Sequence, residues 1–264
     1  MIRGRASTVG AAGRTTIRPA AAVVFIVAMT AFAPMADASS FAVNPTQLVL
    51  SAKATSALLT LRNDSDETLR FQLSVFAWDQ STDGKLKLDQ TDDIVFFPPL
   101  LTLAPKESRN IRIAAITPLG AAERTYRLFV EELPPRDIPE KTGAVRVLTK
   151  MGVPIFLQPG KLQAEASLSD LALKDGLFTF NVRNTGNVHF MTRTVRVRAT
   201  DRAGGTIFDE HVDGWYILAG GLRAYQLTVP APQCASIAAL LVEVQIDSSA
   251  LTERLETPAP ACVP

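Results

Sequence analysis

Apolar and polar residues alternate with a period of two along most of the chain. Leu69, Phe71, Leu73 and Val75 alternate with Arg70, Gln72 and Ser74, the pattern of a strand with one buried and one wet face. Residues 58–62 form a similar run before it, and the turn cluster Asn63-Asp64-Ser65-Asp66 separates the two. Ile111, Ile113 and residues 126–130 continue the pattern, and Asp83-Gly84 and Asp175-Gly176 are hairpin dipeptides. The second half uses the same grammar, with strand runs at 177–182, 194–199, 215–218, 225–229 and 240–246. Asn184-Thr185-Gly186-Asn187, Gly204-Gly205 and Gly220-Gly221 punctuate it as turns. Helix is nearly absent, and only residues 236–241 read as a turn or two. The pattern predicts an all-β chain of antiparallel sandwiches.

Residues 1–38 stand outside this pattern. Arg3, Arg5, Arg14 and Arg18 precede an apolar run at 20–33, and Ala36-Asp37-Ala38 follows it. That order predicts a secretory signal peptide cut after Ala38. The run of 14 residues is shorter than the roughly 20 that a membrane-spanning helix needs. The expectation is an exported, soluble chain with no stable membrane insertion. Of 264 residues, 226 then remain, enough for two sandwiches of about 100 residues each. The turn-rich break Gln158-Pro159-Gly160-Lys161 places the expected domains at 39–159 and 160–264.

Lys plus Arg number 27 against 26 Asp plus Glu, so the basic footprint of a general nucleic-acid binder is missing. Losing the leader removes four arginines and one aspartate and turns the formal charge from +1 to −2. Cys234 and Cys262 remain, and in an oxidising compartment they suggest an intrachain disulfide, with two free thiols as the alternative. Two His and two Cys are too few for a Cys/His metal cluster. His189 and His211 have no nucleophile motif to serve, and no phosphate loop occurs. Asp89, Asp92 and Asp93 lack the spacing of a calcium loop and read as a solvated turn. The expectation is no enzyme, no metal and no cofactor.

Residues 145–157, VRVLTKMGVPIFL, form an unusually long apolar β segment, since strands average about 5 to 6 residues. Val145, Val147, Thr149, Met151 and Val153 share one face; Arg146, Leu148, Lys150 and Gly152 share the other. Pro154 has no N–H, so its end of the strand is an edge or a bulge. Two readings are open: a core strand covered on both sides, or an edge strand lent to a partner by β-augmentation.

The segment Glu123-Arg124-Thr125-Tyr126-Arg127-Leu128-Phe129-Val130-Glu131-Glu132-Leu133-Pro134-Pro135 resembles the signature of periplasmic pilus chaperones: a Glu, an aromatic three residues later, and a closing aliphatic-Pro-Pro. Phe41-Ala42-Val43-Asn44-Pro45-Thr46, Pro98-Pro99-Leu100 and residues 103–113 are similar to the family's earlier strands, in order. The resemblance covers nearly the whole mature chain. It implies two immunoglobulin-like β-sandwich domains in a boomerang, a periplasmic location, and no ATP or other cofactor. It also implies pilus or fimbrial subunits as partners, completed by a lent strand and passed to an outer-membrane usher. The lent row would be Val145, Val147, Thr149 and Met151. Well-known members bind the subunit's terminal carboxylate with an Arg in the first strand and a Lys near the end of the lent strand. Here Gln47 and Pro154 occupy those positions, and Phe129 replaces the usual Asn or Cys, a pattern similar to the divergent, archaic branch. Lys150 and Arg112 are the substitute anchors expected from a cation's fit to a carboxylate. The competing function is a secreted structural or adhesive sandwich protein of a surface fibre. A self-capped dimer through the lent strand is the expected alternative state without a subunit.

Overall fold

Alternating sequences become strands here because each can bury one face against another sheet. The structure, a computed structural model, describes residues 40–136, 146–247 and 249–257. The predicted leader (1–38), Val145 and Cys262 lie outside those residues. The chain is all-β, and its strands form four sheets in two sandwiches.

The first sandwich holds β1 (Phe41–Asn44), β2 (Leu48–Leu50), β3 (Ser56–Asn63), β4 (Leu69–Gln80), β5 (Leu86–Gln90), β6 (Ile94–Phe97), β7 (Leu100–Leu103), β8 (Ser108–Ala115), β9 (Arg124–Leu133) and β10 (Lys150–Leu157). One sheet has the order β1-β3-β8-β6; the other runs β2-β10-β9-β4-β5, with β7 also paired to β4. Leu59, Leu61, Ile111 and Ile113 point inward from the first sheet and meet Phe71, Tyr126, Leu128, Val130 and Ile155 from the second. All nine are at most 1% exposed, and each such side chain contributes about 1.5–3 kcal/mol of burial.

The second sandwich holds β11 (Ala166–Lys174), β12 (Leu177–Asn184), β13 (Phe190–Thr200), β14 (Thr206–Asp213), β15 (Tyr216–Ile217), β16 (Leu222–Thr228), β17 (Ala239–Ile246) and β18 (Ser249–Glu256). Its sheets are β11-β12-β16 and β14-β13-β17-β18, with β15 paired to β13. Its core gathers Phe178, Phe180, Val195, Val197, Leu240 and Val242.

Two details depart from the sequence reading. The helical turn lies at α1 (Ala231–Cys234), not at 236–241. Proline suits the first turn of a helix, and Pro230 and Pro232 start it early, while apolar alternation draws residues 239–246 into β17. The long strand expected over 145–157 is formed only from Lys150 onward. Its antiparallel partner β9 ends at Leu133, and the following Pro134-Pro135 have no N–H with which to extend a ladder.

Buried asparagines close both sandwiches in the same way. Asn63 Nδ2 donates to the carbonyls of Glu67, Leu103 and Ala104 at 2.7, 3.2 and 3.0 Å. Asn184 Nδ2 donates to those of Val188 and Ile217 at 2.8 and 3.0 Å.

Candidate functional site

β10 is paired unevenly. All eight of its residues face β9, from Lys150 opposite Glu131 to Leu157 opposite Arg124. On its other side, among the described residues, only Ile155, Phe156 and Leu157 are covered, by Leu48, Val49 and Leu50 of the parallel β2. Residues 150–154 therefore present an open edge. Glu132 N–H donates to the Thr149 carbonyl at 2.9 Å, so by antiparallel alternation the main-chain groups of Lys150 and Gly152 turn to that edge. Pro154, with no N–H, closes it.

Side chains alternate about this edge. Val153 is in the core and Met151 is half-buried against it. Thr149 is exposed and Val147 is 66% exposed. The apolar row thus begins inside the sandwich and runs out beyond it. Next to the row, Arg146 pairs with Glu67 at 2.9 Å and with the buried Glu132 at 3.6 Å.

The opposite face of β10 belongs to an outward surface built rung by rung across three strands. Lys150 lies opposite Glu131, which lies opposite Gln72; Gly152 opposite Phe129 and Ser74; Pro154 opposite Arg127 and Phe76. Lys150 is already engaged, paired with Glu131 at 2.8 Å and lying 4.9 Å from the Phe129 ring centroid. Arg112 stands apart from this surface. It projects from β8, between Leu58 and Phe97 on the outward face of the other sheet, where it lines a shallow hollow with Pro98 and Leu100. The two expected anchors are not brought together.

A third cation, Arg127, lies on the rung of Pro154. Its guanidinium carbon is 4.8 Å from the centre of the Trp78 ring. Its Nη1 is buried with no acceptor, and no carboxylate pairs with it among the described residues. Burial pulls its pKa down, with the Tyr216 phenol acting in the opposite sense. Gly152 makes this pose feasible: a Cβ there would fall 2.8 Å from Arg127 Nε and 3.1 Å from Phe129 Cε1. The sequence signal was a lone basic residue on the polar face of the apolar run 126–130. Gln47 and Pro154, the uncharged residues at the expected anchor positions, flank this place. Gln47 Oε1 accepts from Tyr216 Oη at 3.3 Å, and Pro154 shares Arg127's rung.

The second sandwich closes one end of this surface. Trp78, Phe156 and Leu218 form a buried cluster with Tyr216 packed on it. His189 stacks on Phe156, with centroids 3.6 Å apart and planes 13° apart. Glu123 Oε1 accepts from His189 N–H at 3.0 Å and lies 2.7 Å from Nδ1. Asn187 Nδ2 donates to the carbonyls of Ala121 and Lys161 at 3.0 and 2.9 Å. His189, directly ahead of β13, is thus held by packing and by Glu123. Tyr126, the aromatic of the signature, is buried and donates to Asp93 Oδ2 at 2.8 Å. Cys234 is fully buried and disulfide-bonded.

With this geometry in view, the comparisons are specific. Residues 40–163 match the family model of the pili and flagellar-assembly chaperone, PapD N-terminal domain. By this match the first sandwich is a pilus-assembly chaperone domain. No curated protein sequence matches. Among solved structures, the chaperone resembles the class 5 fimbriae chaperone CfaA with a TM-score of 0.55 at 14% identity, over 83% of this chain and 100% of that one. It resembles a chain of the CsuC–CsuE chaperone–tip adhesion subunit complex, from archaic chaperone-usher Csu pili of Acinetobacter baumannii, with a TM-score of 0.55 at 16% identity, over 81% and 97%. The Salmonella enterica complex of SafA pilin with the SafB chaperone gives 0.54 at 16%, over 83% and 98%. At such identities the likeness shows the fold: two immunoglobulin-like sandwiches in tandem. Among the described residues, no helix is long and apolar enough to cross a membrane.

Proposed function

We propose that this chaperone binds pilus or fimbrial subunits by lending them the open edge of β10 and passes them to an outer-membrane usher. In this reading residues 1–38 direct export to the periplasm, 39–159 form the strand-lending domain and 160–264 the second domain. Val145, Val147, Thr149 and Met151 are the side chains lent, and Arg127 is the anchor, with Lys150 and Arg112 in lesser roles.

The observation that carries the reading is where the open edge stops. β2 already occupies the edge from Ile155 onward, so an added strand running parallel to β10 must end near Pro154. A strand added in the other direction would bring its amino end there. Arg127 sits on that rung with an unpaired guanidinium, which favours a carboxylate and hence a guest strand that ends there by its own C-terminus. A subunit whose sandwich lacks a strand exposes an apolar groove and unpaired edges; the row that emerges at Thr149 and Val147 would fill the groove. Without a guest, the same edge is open to a second copy, giving a self-capped dimer. That neither Gln47 nor Pro154 carries a charge supports the divergent branch of the family.

The test is co-expression of the chain in a periplasm with pilus subunits from neighbouring reading frames, followed by size-exclusion chromatography and mass spectrometry. A 1:1 complex is expected. It should be lost with Val147→Asp, and also with a subunit carrying one extra C-terminal residue. A folded Val147→Asp chain that still binds would refute the lent strand. A soluble chain that rescues no subunit would favour a structural role in a surface fibre.

A further inference from the structure

The hairpin between β4 and β5 reaches across to the second sandwich. β16 is an outer strand of its sheet, and its free side would otherwise be an unpaired edge. Ala224 N–H on that side donates to the Thr82 carbonyl at 2.8 Å. Beside this bond the Arg223 guanidinium lies against the turn. A Cβ on Gly84 would collide with Arg223 Nη1 and push the guanidinium away, and the φ of +81° at Gly84 itself favours glycine. Arg223 also lies 5.3 Å from the centre of the Tyr225 ring, which stacks on Phe180 of the second core at 5.1 Å and 8°. Arg223 Nε is buried without an acceptor, and no carboxylate pairs with the side chain among the described residues. Packing therefore holds this arginine in place.

The tip is also held by bonds of its own. Ser81 N–H donates to the Lys85 carbonyl at 3.0 Å and Gly84 N–H to the Ser81 carbonyl at 2.8 Å. Asp83 accepts from the Ser81 hydroxyl and pairs with Lys85 Nζ at 2.7 Å. β4 itself carries Phe76 and Trp78 of the outward surface. A stiff strand thus links the Trp78 face that holds Arg127 to a point gripped by the other sandwich. The Glu123–His189, Asn187–Ala121 and Gln47–Tyr216 contacts join the sandwiches through other segments; a further grip on the β4–β5 turn adds a separate point that opposes rotation about them.

We propose that the 81–85 tip and Arg223 form an interdomain clamp, in which Gly84 and Arg223 are positioning residues that hold Tyr216 against Arg127 and so shape the subunit anchor. This rests on the reading of Arg127 as that anchor.

The test uses the whole mature chain and, as probe, the pilus subunit recovered by co-expression. Arg223→Ala should lower subunit affinity about five- to tenfold, and Arg223→Lys should restore part of it. Small-angle scattering of the free Arg223→Ala chain should show a broader spread of interdomain distances. In double-mutant cycles the loss should vanish in an Arg127→Ala background but persist in a Val147→Ala background. Gly84→Ala should match Arg223→Ala; if it misfolds, the Arg223 series still decides, because it leaves the turn backbone intact. Wild-type affinity in Arg223→Ala, or additivity with Arg127→Ala, overturns the clamp. Wild-type affinity in both Arg127→Ala and Val147→Asp overturns the underlying binding-face reading instead.

Discussion

Lys150 and Arg127 sit two rungs apart on one surface, yet their surroundings assign them different work. Lys150 is half exposed and its ammonium already has Glu131; such surface pairs are worth about 0–1 kcal/mol and trade partners readily. Arg127 is partly desolvated and unpaired, so a carboxylate arriving there meets a donor with no competitor. Arg127→Ala should weaken subunit binding by about 1.5–3 kcal/mol, the range for hydrogen bonds to charged groups, without lowering the melting temperature; Lys150→Ala should change affinity less than threefold. Calorimetric titration of both variants checks the contrast. Tyr126 gives a second prediction. Burial, then its hydrogen bond to Asp93, raises the phenol from 10.0 to about 12. The unfolded phenol ionises near pH 10 while the folded one keeps its proton, so this contribution is complete below pH 10 and lost as pH rises through 12. Thermal melts should show stability falling across that window, and Tyr126→Phe should flatten the fall while costing about 1 kcal/mol at neutral pH through the lost bond to Asp93.

β10 shows at the scale of one element what the sequence makes legible. Its alternation follows from residues 145–157 read alone, and Pro154's missing N–H marks a break in pairing there, but a covered strand and an edge strand fit those residues equally. The extent of the strand does not, because it is set by β9, which runs into Pro134-Pro135, and by β2, which pairs only from Leu48. The proposed anchor was hidden for a related reason. Lys150 and Arg112 are conspicuous cations, but only the register that sets Arg127 beside Pro154 and Gly152 shows which one is unpaired at the end of the edge. The paired turns Asn63-Asp64-Ser65-Asp66 and Asn184-Thr185-Gly186-Asn187 were visible as turns, whereas their shared buried-asparagine cap depends on carbonyls 33 to 41 residues away. The element also yields a test of its two halves. Met151 is half-buried on the chain's own core, so Met151→Ala should destabilise the free chaperone by about 1–2 kcal/mol, below the 2–5 kcal/mol of a fully buried site. Val147→Asp should leave chemical denaturation unchanged and abolish only subunit binding.

For the molecule as a whole, the two sandwiches have separate cores, so their cooperativity depends on the seam between them. That seam joins an aromatic cluster of Trp78, Phe156, Leu218 and Tyr216 to several polar contacts, among them the buried Glu123–His189 pair. The Glu123 carboxylate is buried, its Oε1 is bound to the backbone and ring of His189, and its Oε2 has no partner. His189→Ala would remove the ring hydrogen bond and the stacking on Phe156 at once, leaving a buried carboxylate with a single backbone donor. Leaving a buried hydrogen-bonding group unsatisfied costs about 1–3 kcal/mol, and more for a charged one, a large share of the stability margin of many domains. Because this loss falls on the seam and on neither core, each sandwich should remain folded. The wild-type chain should therefore unfold in one calorimetric transition and His189→Ala in two, with Trp78 fluorescence changing before the first core melts. His189→Asn offers a hydrogen-bond donor without a ring and should recover part of the coupling. A single transition in His189→Ala, lowered as a whole, would mean that the aromatic cluster and the remaining seam contacts suffice to couple the cores.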